Sequence, residues 1–514
     1  MSDLLPPPAQ PRITQSTGPF SAQDLASTDI LLLITAERPG ASVWRSIPAG
    51  AQLKKAIKKR KINNLAAQAR LKNKANTAVY LAQLPGSGNG ESSVPSFALL
   101  SFAGKLAGLA LADNPRSISI SAPGIADDQA AALINSVVAA LLAHRFSLPT
   151  FKSNPPKSPA LKQIRAVGLP HRIDFTRTVV ETRANNLARW LTALPPNKLD
   201  AKGYRRAIEQ LSAKHGWKYK FLDEKRLSKL GAGAFLAVSQ GNANRDAGIV
   251  HLSYRPKLKN TKRTQPDVAL VGKGIIFDTG GTNLKPFKAM LDMHHDMAGS
   301  AVALATLTAL SELEAPVAVD CWLAITENRL SNDAYKSRDI VTASNGISIE
   351  IIHTDAEGRM ALADTLALAG KEKPAAILDF ATLTGTCVAA LTDRYSGAFS
   401  NRISLNETIV KAGQDSGERV WPFPLDTDFA DDINSDMADI LQCSTSGGGD
   451  HIQAAKFLQH FVPDKSAWIH VDLSAATRKG GLAHIPTTVT GFGVRFALSL
   501  IMDHQNDLLT APED

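Results

Sequence analysis

Short apolar runs, separated by helical or turn-like stretches, extend along most of the chain. In residues 29–150 the strand-like runs are Asp29–Thr35, Val79–Leu84, Phe97–Leu100 and Ser117–Ser121, and an Ala-rich helical stretch covers Asp127–His144. Alternating strands and helices of this kind are typical of an α/β domain. We therefore predict a small N-terminal α/β domain over residues 29–150, preceded by a flexible segment at residues 1–28.

A second alternation of strands and helices follows a stretch rich in Pro, Lys and Ser. Residues 151–173 show no sustained periodicity and are predicted to be a linker. Beyond it an amphipathic helix runs from Asp174 to Ala193 and ends at two prolines, which cannot continue a helix. The strand candidates that follow are Ile249–Tyr254, Asp267–Val271, Val317–Ile325, Ala376–Phe380 and Trp468–Val471. Because they are apolar nearly throughout, residues 174–514 are predicted to form a larger α/β domain whose helices cover both faces of a sheet.

The composition is that of a folded protein in a reducing compartment. Hydrophobic residues make up 44% and charged residues 20% of the chain, which excludes a disordered or fibrous protein. Three cysteines, Cys321, Cys387 and Cys443, are too few and too far apart for a disulfide framework. The N-terminal residues lack the apolar segment of a signal peptide, and the early apolar run Ile30–Ile34 is too short to span a bilayer. We expect a cytoplasmic protein with no membrane partner.

Positive charge is concentrated near the N-terminus. The formal net charge is +9, and the segment Lys54–Lys74 contains nine Lys and Arg residues, whereas no Asp or Glu occurs between Glu37 and Glu91. Such a run is usually a solvated helix face, but it also suits the phosphates of nucleic acid. DNA binding is therefore kept as an alternative function.

Two loops that follow apolar strands carry an unusual number of charged residues. The first segment covers 270–286 and is followed by Asp296, and the second covers 354–359. Together they contain four carboxylates and three cations: Asp278, Asp296, Asp355, Glu357, Lys273, Lys285 and Arg359. Crowded carboxylates repel one another, and divalent ions such as Mg²⁺, Mn²⁺ or Zn²⁺ neutralise them efficiently. Four carboxylates can hold a pair of such ions about 3.5–4 Å apart.

Glycines surround the charged residues of the first segment. Gly272, Gly274, Gly280 and Gly281 bracket Lys273 and Asp278, and glycine at this density allows backbone to approach a bound group. The segment lacks the third glycine of a dinucleotide-binding fingerprint and the ending of a phosphate-binding loop. No nucleophilic serine motif stands near a partner histidine. A metal site is therefore favoured over nucleotide binding or a serine nucleophile.

These segments resemble the signature of the leucyl aminopeptidase family, the hexameric two-metal exopeptidases, in which the pattern is close to VGKGxxFDxGGxxxKP, then a DM pair, then NTDAEGR. The spacings from Lys273 through Asp278 and Lys285 to Asp296 agree with that pattern. Further similar segments are Leu194–Asn197, Ala381–Gly385, Arg419–Pro422 and Thr490–Arg495, so the resemblance covers about residues 175–500. It implies a C-terminal catalytic domain with a mixed, eight-stranded central sheet flanked by helices, beside the smaller N-terminal α/β domain.

The resemblance also implies a metal-ligand set. Asp278 and Glu357 would bridge two divalent ions. Lys273, as a neutral amine, and Asp296 would complete the tighter site, and Asp355 would complete the looser one, partly through its backbone carbonyl. The ions would be Mn²⁺ or Zn²⁺, with Mg²⁺ or Co²⁺ as alternatives. They would supply an ionisable water, a Lewis acid for the carbonyl and an anchor for the free α-amine of the substrate.

Two cations and an apolar pocket complete the implied site. Lys285 would stay charged and polarise the scissile carbonyl, and Arg359 would hold a bicarbonate ion that serves as the general base. The pocket for the side chain of the first substrate residue would be formed by Met293, Thr382, Leu383 and Gly385. An apolar pocket favours leucine-like residues only modestly, because a methylene contributes about 1–3 kcal/mol.

Three departures from the family pattern leave the ligand set intact. Ala298 stands where glycine is usual, His353 where asparagine is usual, and the pair His294–His295 precedes Asp296. We interpret the two histidines as packing residues or as residues that contact the metal ligands, because neighbours on a helix cannot both face one ion. The sequence thus predicts a cytoplasmic, homohexameric, metal-dependent aminopeptidase that removes apolar N-terminal residues such as leucine from peptides. The alternative is a DNA-binding accessory protein, with or without that activity.

Overall fold

The computed structural model describes residues 4–7, 10–59, 67–85, 94–155, 160–257, 264–446 and 448–510, with the backbone alone at residues 58–59. The chain divides into two compact units. The smaller unit comprises Pro7–Thr182 and Gly480–Thr487, and the larger comprises Met1–Pro6, Arg183–Lys479 and Thr488–Asp514. Every helix within the described ranges is too short or too polar to cross a membrane.

The smaller unit is an α/β structure with a core on each face of its sheet. Its strands are β1 (Arg12–Thr17), β2 (Ile30–Ala36), β3 (Ala67–Arg70), β4 (Ala78–Leu84), β5 (Ser117–Ser121) and β6 (Gln163–Leu169), and its helices are α1 (Ala22–Leu25), α2 (Ala41–Ser46), α3 (Gly50–Lys59), α4 (Ser96–Leu111) and α5 (Asp127–Arg145). The described strands pair in the order β1-β6-β5-β2-β4-β3, parallel except for β3 against β4. Along β2, Leu32 packs into one core and Leu31 and Leu33 into the other, as alternating side chains of a doubly covered strand must.

One of the predicted strands of this unit is wrong. The run Phe97–Leu100 lies inside helix α4, whereas β2, β4, β5 and α5 form where the pattern predicts them. A four-residue apolar run does not distinguish a strand from a buried helix turn. In α4 the buried Leu99, Phe102 and Leu106 recur at helical spacing and pack into a core. This spacing over several turns favours a helix for the whole segment, including the four-residue run.

Ordered elements also occur in the two stretches predicted to be flexible or linking. Strand β1 and helix α1 lie within residues 1–28, and strand β6 lies within residues 151–173. β6 pairs with both β1 and β5, and its Ile164 and Ala166 are fully buried. The strand partners of β6 are far away in sequence, so the residues next to β6 show no repeating pattern from which the strand could be predicted.

The basic run Lys54–Lys74 is only partly described, since residues 60–66 and the side chains at 58–59 lie outside the described residues. Its first part belongs to helix α3, where Leu53 is fully buried and Lys54 lies 6.0 Å from the ring centroid of Trp44. This first part therefore packs as an ordinary amphipathic surface helix, and residues 67–70 farther along the run form strand β3.

The larger unit contains the remaining strands and helices, and helix α6 (Thr176–Thr192) crosses the boundary between the units. Its strands are β7 (Lys218–Asp223), β8 (Gly248–Tyr254), β9 (Val268–Asp278), β10 (Val319–Asn328), β11 (Ile340–Thr342), β12 (Ser348–Glu350), β13 (Ala376–Ala381), β14 (Ser396–Ser400), β15 (Val420–Pro422), β16 (Ile440–Leu441) and β17 (Ala467–Asp472). Its helices are α7 (Ala201–His215), α8 (Glu224–Lys229), α9 (Gly233–Ser239), α10 (Phe287–Met290), α11 (Ala298–Glu312), α12 (Glu357–Gly370), α13 (Gly385–Leu391), α14 (Leu405–Ser416), α15 (Asp450–Gln459), α16 (Val494–Met502) and α17 (Gln505–Leu509), with 3-10 turns at Met293–His295, Thr392–Arg394 and Thr427–Ile433.

A mixed sheet forms the centre of the larger unit, as predicted. Eight described strands pair in the order β15-β14-β17-β13-β9-β10-β8-β7, and three more form a small sheet, β11-β12-β16. β17, β13, β9 and β10 run parallel to one another, whereas β8 is antiparallel to β10 and β14 is antiparallel to β17. Every residue of α12 is buried, as is all but the end of α11, which explains why these helices show no amphipathic stripe.

The parallel strands bring distant polar residues to one edge of the sheet. β9 ends at Asp278, β10 at Asn328, β13 at Ala381 and β17 at Asp472. Because the carboxyl ends of parallel strands meet at the same edge, the residues at and just after these ends are neighbours. This edge carries the candidate site.

Candidate active site

A cavity of about 300 Å³ opens at the carboxyl edge of the central sheet. Its wall includes six of the seven charged residues that the sequence predicts to act together: Lys273, Asp278, Lys285, Asp296, Asp355 and Glu357. Strand β9 supplies Lys273 and Asp278, and the loop after it supplies Lys285. Asp296 precedes helix α11, and Glu357 is the first residue of α12. The fold thus places these charged residues, which come from separate parts of the sequence, on the wall of one cavity.

Three carboxylates form a compact cluster in this wall. Asp278, Asp355 and Glu357 each present one oxygen atom, and these atoms all lie within 4.8 Å of one another. Asn328, at the end of β10, donates from Nδ2 to Asp278 Oδ1 at 2.8 Å and to Glu357 Oε2 at 3.4 Å. Hard oxygen ligands converging from two separate segments are the donor set that a divalent cation requires.

Lys273 is enclosed by acceptors at the bottom of the cavity. Its Nζ lies 2.9 Å from Asp296 Oδ1 and 3.1 Å from Glu357 Oε1, and it donates to the carbonyl oxygen of Thr382 at 2.9 Å. Burial alone would lower the pKa of Lys273, but the carboxylates of Asp296 and Glu357 outweigh burial and raise it. With these carboxylates alone as neighbours the side chain is an ammonium, so the neutral amine implied by the resemblance requires cations beside it.

Lys285 lies between two of the clustered carboxylates. Its Nζ is 2.8 Å from Asp278 Oδ2 and 2.5 Å from Asp355 Oδ1. Burial lowers its pKa, but Asp278 and Glu357 raise it above the ordinary lysine value, so Lys285 carries a positive charge. The side chain is 14% exposed and reaches the cavity. A charged donor is therefore available at the cavity surface.

The buried carboxylates outnumber the lysines that neutralise them. Burial, and next to it the charge of Asp278, raises the pKa of Glu357 to about 8, and burial raises the pKa of Asp296 to about 6 despite Lys273. Thr382 Oγ1 donates to Asp296 Oδ1 at 2.7 Å, whereas the buried Asp296 Oδ2 has no hydrogen-bond partner among the described residues. Carboxylates that are kept together despite this cost, with one oxygen unsatisfied, fit divalent cations.

Glycines around the site serve packing more than ligand approach. A Cβ at Gly272 would lie 2.5 Å from Ser300 Cα, so this glycine allows α11 to pack against β9. A Cβ at Gly358 would lie 2.6 Å from Lys273 Nζ and would displace that side chain. Gly280 has a φ of +85° in the turn after Asp278, a conformation that other residues rarely adopt. The glycine density of the motif thus reflects helix–strand contact and a tight turn.

The predicted pocket residues Met293, Thr382, Leu383 and Gly385 all line the cavity. Beside them the wall contains residues that the sequence interpretation missed, among them Asp472, Val388, Ser474, Ala476 and Thr477. Asp472 holds the loop after β13 in place by accepting hydrogen bonds from Leu383 N at 3.1 Å and from Thr384 Oγ1 at 2.6 Å. The feature of the sequence that could have identified Asp472 is its position at the end of an apolar strand, which Asp278 and Asn328 share.

The histidines that depart from the family pattern lie close to the site. His295 lines the cavity, and its ring centroid is 4.0 Å from that of His294. Burial, and next to it His294, lowers the pKa of His295 to about 4, so the ring is neutral near neutral pH. His353 Nδ1 accepts a hydrogen bond from Asp355 N at 3.3 Å and so supports the loop that carries Asp355.

Arg359 is the one predicted site residue that does not line the cavity. It is 2% exposed and lies in the first turn of α12. Its Nη2 donates to Asp450 Oδ1 at 2.7 Å and its Nη1 to the carbonyl oxygen of Gln442 at 3.2 Å. The guanidinium that the resemblance assigns to bicarbonate is therefore already paired with a carboxylate of the chain.

Known proteins are similar to this chain in sequence and in fold. A probable cytosol aminopeptidase of Chlorobaculum tepidum is 41% identical over 319 residues, which is 62% of this chain and 62% of that relative, so the match spans a little under two thirds of its length. A probable cytosol aminopeptidase of a Synechococcus species is 38% identical over 388 residues, covering 74% of this chain and 76% of that relative.

Two solved structures extend the similarity to nearly the whole chain. A mutant of tomato leucine aminopeptidase superimposes with a TM-score of 0.81 at 25% identity, covering 97% of this chain and 98% of that one. The bottromycin maturation enzyme BotP in complex with Mn superimposes with a TM-score of 0.78 at 27% identity, covering 93% and 100%. The model of the cytosol aminopeptidase family catalytic domain matches residues 186–498, more than half of the chain. Sequence, fold and family model agree, and the chain belongs to the cytosol aminopeptidase family of metalloexopeptidases, which are hydrolases.

Proposed function

We propose that this protein removes apolar N-terminal residues, leucine among them, from peptides with the help of two divalent metal ions. The observation that carries the proposal is the convergence of Asp278, Asp355 and Glu357 on one cavity, with oxygen atoms within 4.8 Å of one another. Lys273 and Asp296 lie directly beside this cluster, 2.9 Å apart. This donor set is larger than one ion needs, which supports a pair.

The five residues divide between the two ions as the family resemblance implies. Asp278 and Glu357 would bridge the ions, Lys273 and Asp296 would complete the tighter site, and Asp355 would complete the looser one. When bound, the two ions would supply an ionisable water, a Lewis acid for the carbonyl and an anchor for the α-amine. Mn²⁺ and Zn²⁺ are the candidates we favour over Mg²⁺ and Co²⁺, and the Mn complex of the similar enzyme BotP supports Mn²⁺.

Lys285 is assigned to the scissile carbonyl. It lines the cavity, it is charged, and it is held in position by Asp278 and Asp355. A preorganised cation stabilises the negative charge that develops on the carbonyl oxygen in the transition state. Lys285 thereby binds the reacting group more strongly in the transition state than in the ground state.

The cavity wall supports a preference for apolar first residues. Met293, Leu383 and Gly385, with the hydroxyl of Thr382 turned toward Asp296, leave mainly apolar surface for the substrate side chain. A cavity of about 300 Å³ accommodates one amino-acid residue and its scissile bond. The preference is modest, since each methylene contributes about 1–3 kcal/mol.

Bicarbonate does not fit Arg359 in the way the resemblance implies. An external anion would have to displace Asp450, which lies 2.7 Å from the guanidinium. No proton-transfer step in this proposal therefore depends on bicarbonate.

Assembly as a homohexamer and a cytoplasmic location complete the proposal. The family resemblance supports the hexamer, as do large apolar side chains that remain exposed on this chain, namely Ile403, Trp421 and Phe287. The names of the relatives, cytosol aminopeptidases, support the location. No observation on the described residues favours the DNA-binding alternative.

The test is a metal-readdition assay. The purified protein is stripped of metal, supplied with Mn²⁺, Zn²⁺, Mg²⁺ or Co²⁺, and assayed on a panel of aminoacyl amides together with N-acetyl-leucine amide. We expect metal-dependent hydrolysis of leucine amide and none of the N-blocked analogue, which offers no free amine to anchor. Hydrolysis without metal, or equal hydrolysis of the blocked amide, would contradict the proposal.

A further inference from the structure

Arg359 is a buried cation whose charge must be balanced from nearby. Its side chain is 2% exposed and follows Glu357 by two residues on the first turn of α12. A cation out of contact with water requires an anion or strong acceptors, since its lost hydration is otherwise uncompensated. The identity of the anion on Arg359 therefore bears directly on the charge beside the metal ligands.

The chain supplies this anion itself. Asp450 Oδ1 accepts from Arg359 Nη2 at 2.7 Å, and the Gln442 carbonyl accepts from Nη1 at 3.2 Å. Arg359 Nε is buried without a hydrogen-bond partner among the described residues. The Asp450 side chain is 33% exposed, so the pair is accessible to small solutes from one side.

The fold holds Asp450 in this position. It is the first residue of the ten-residue helix α15, which packs against α12, the helix that carries Arg359. Gly449, with a φ of +67°, turns the chain into the helix immediately before it. A helix N-terminus also favours a carboxylate over a neutral residue. The contact thus joins two packed helices, and its carboxylate is not a mobile surface group.

A free anion competes poorly with a tethered one. Bicarbonate and the Asp450 carboxylate are both planar acceptors, and Asp450 already occupies Arg359 Nη2, so the two compete for this guanidinium. A group linked through the fold has an effective concentration on the order of millimolar or higher, and it loses little entropy on binding. Resting on the proposed aminopeptidase function, we propose that Asp450 takes the place of an external bicarbonate on Arg359, so that this enzyme works without that ion.

The test compares Asp450→Ala and Asp450→Asn with the wild type in bicarbonate-depleted buffer. Asp464→Ala, which removes an exposed carboxylate elsewhere in the same unit, is the matched control. Two quantities are measured with and without added sodium bicarbonate: the melting temperature of the metal-free protein, and kcat on leucine amide after metal loading. Sodium chloride at equal ionic strength controls for screening, and sodium formate provides a second planar carboxylate.

We expect bicarbonate to leave both quantities unchanged in the wild type and in Asp464→Ala. Asp450→Ala should melt lower and lose roughly tenfold or more in kcat, because it leaves the charge of the buried Arg359 unbalanced two residues from Glu357. Bicarbonate or formate should restore both quantities in that variant, whereas chloride should not. A merely structural role for Asp450 would not produce rescue of kcat by a small anion. Asp450→Asn keeps the shape of the side chain and provides the same comparison if the alanine variant does not fold.

Either of two results would overturn the proposal: a wild type that responds to bicarbonate as strongly as Asp450→Ala, or an alanine variant that matches the wild type in both quantities. Failure of the aminopeptidase assignment is distinguishable. In that case no protein of the set hydrolyses any aminoacyl amide with any metal, and the melting temperatures still decide whether Asp450 or a free anion occupies Arg359.

Discussion

Replacing Lys285 by alanine should separate catalysis from metal binding. In the structure the Lys285 ammonium lies 2.8 Å from Asp278 Oδ2, is 14% exposed and faces the cavity. Removing one preorganised donor of this kind from a transition-state site costs about 2.7–4 kcal/mol, which corresponds to a fall in kcat of roughly 10²–10³. KM should change little, because the interaction is made mainly in the transition state.

Metal binding should survive this substitution. Lys285 competes with cations for Asp278 and Asp355, so the alanine variant exposes those carboxylates to metal without a bound ammonium. We therefore expect metal affinity equal to that of the wild type or higher, since a like charge has been removed from the site.

The assay measures kcat and KM on leucine amide at saturating metal, metal content by mass spectrometry of the dialysed protein, and the melting curve. Lys288→Ala is the matched control, because Lys288 is an exposed lysine three residues farther along the chain, in helix α10. Loss of both metals in Lys285→Ala would refute the separation of roles. A kcat within about threefold of the wild type would refute the assignment of Lys285 to the carbonyl.

Three further predictions follow from the same geometry. Asp278→Ala or Glu357→Ala should lose metal and activity together while keeping the fold; equilibrium dialysis and melting curves test this, and full activity in either variant would exclude the ligand assignment. Gly385→Val should lower kcat/KM for leucine amide relative to alanine amide by roughly 10- to 100-fold, because a side chain there would enter open cavity space; an unchanged ratio would place the substrate elsewhere. His470→Gln should destabilise the fold by about 3–5 kcal/mol, because His470 Nδ1 lies 2.5 Å from Asp379 Oδ1 and both are fully buried. Burial lowers the pKa of His470, but the charge of Asp379 outweighs burial and raises the pKa above 6.5. The ion pair therefore stabilises the fold fully below pH 6.5, and this stabilisation is lost as the pH rises through the raised pKa. A difference in melting temperature between wild type and His470→Gln that does not shrink with rising pH would contradict the reasoning.

The candidate site was predictable from sequence because most of its residues lie in two short segments. Lys273, Asp278 and Lys285 stand within thirteen consecutive residues, and Asp355 and Glu357 are two residues apart. The first segment ends β9 of the central sheet, whereas the second follows β12 of the small sheet and opens helix α12, so the fold brings the two segments together. The type and spacing of the ligands were therefore local properties of the chain.

Contacts between distant segments could not be predicted in this way. Asn328 and Asp472 reach the site because β10 and β17 lie beside β9 and β13, an order that only the pairing of the whole sheet decides. The run Phe97–Leu100 is helical because its neighbours pack into a core, although the run alone resembles a strand. The free energy gained by hydrophobic burial depends on how all the elements pack together, so a short segment does not determine its own conformation.

The amino-acid sequence by itself determined the family, the fold class and the set of candidate metal ligands, because apolar periodicity and short-range spacing are properties of consecutive residues. Only the tertiary structure decided which groups neutralise one another. Arg359 and Asp450 are 91 residues apart, and they meet because α12 and α15 pack together. The energy of a buried charge depends on the groups that surround it in space, and those groups come from every part of the chain.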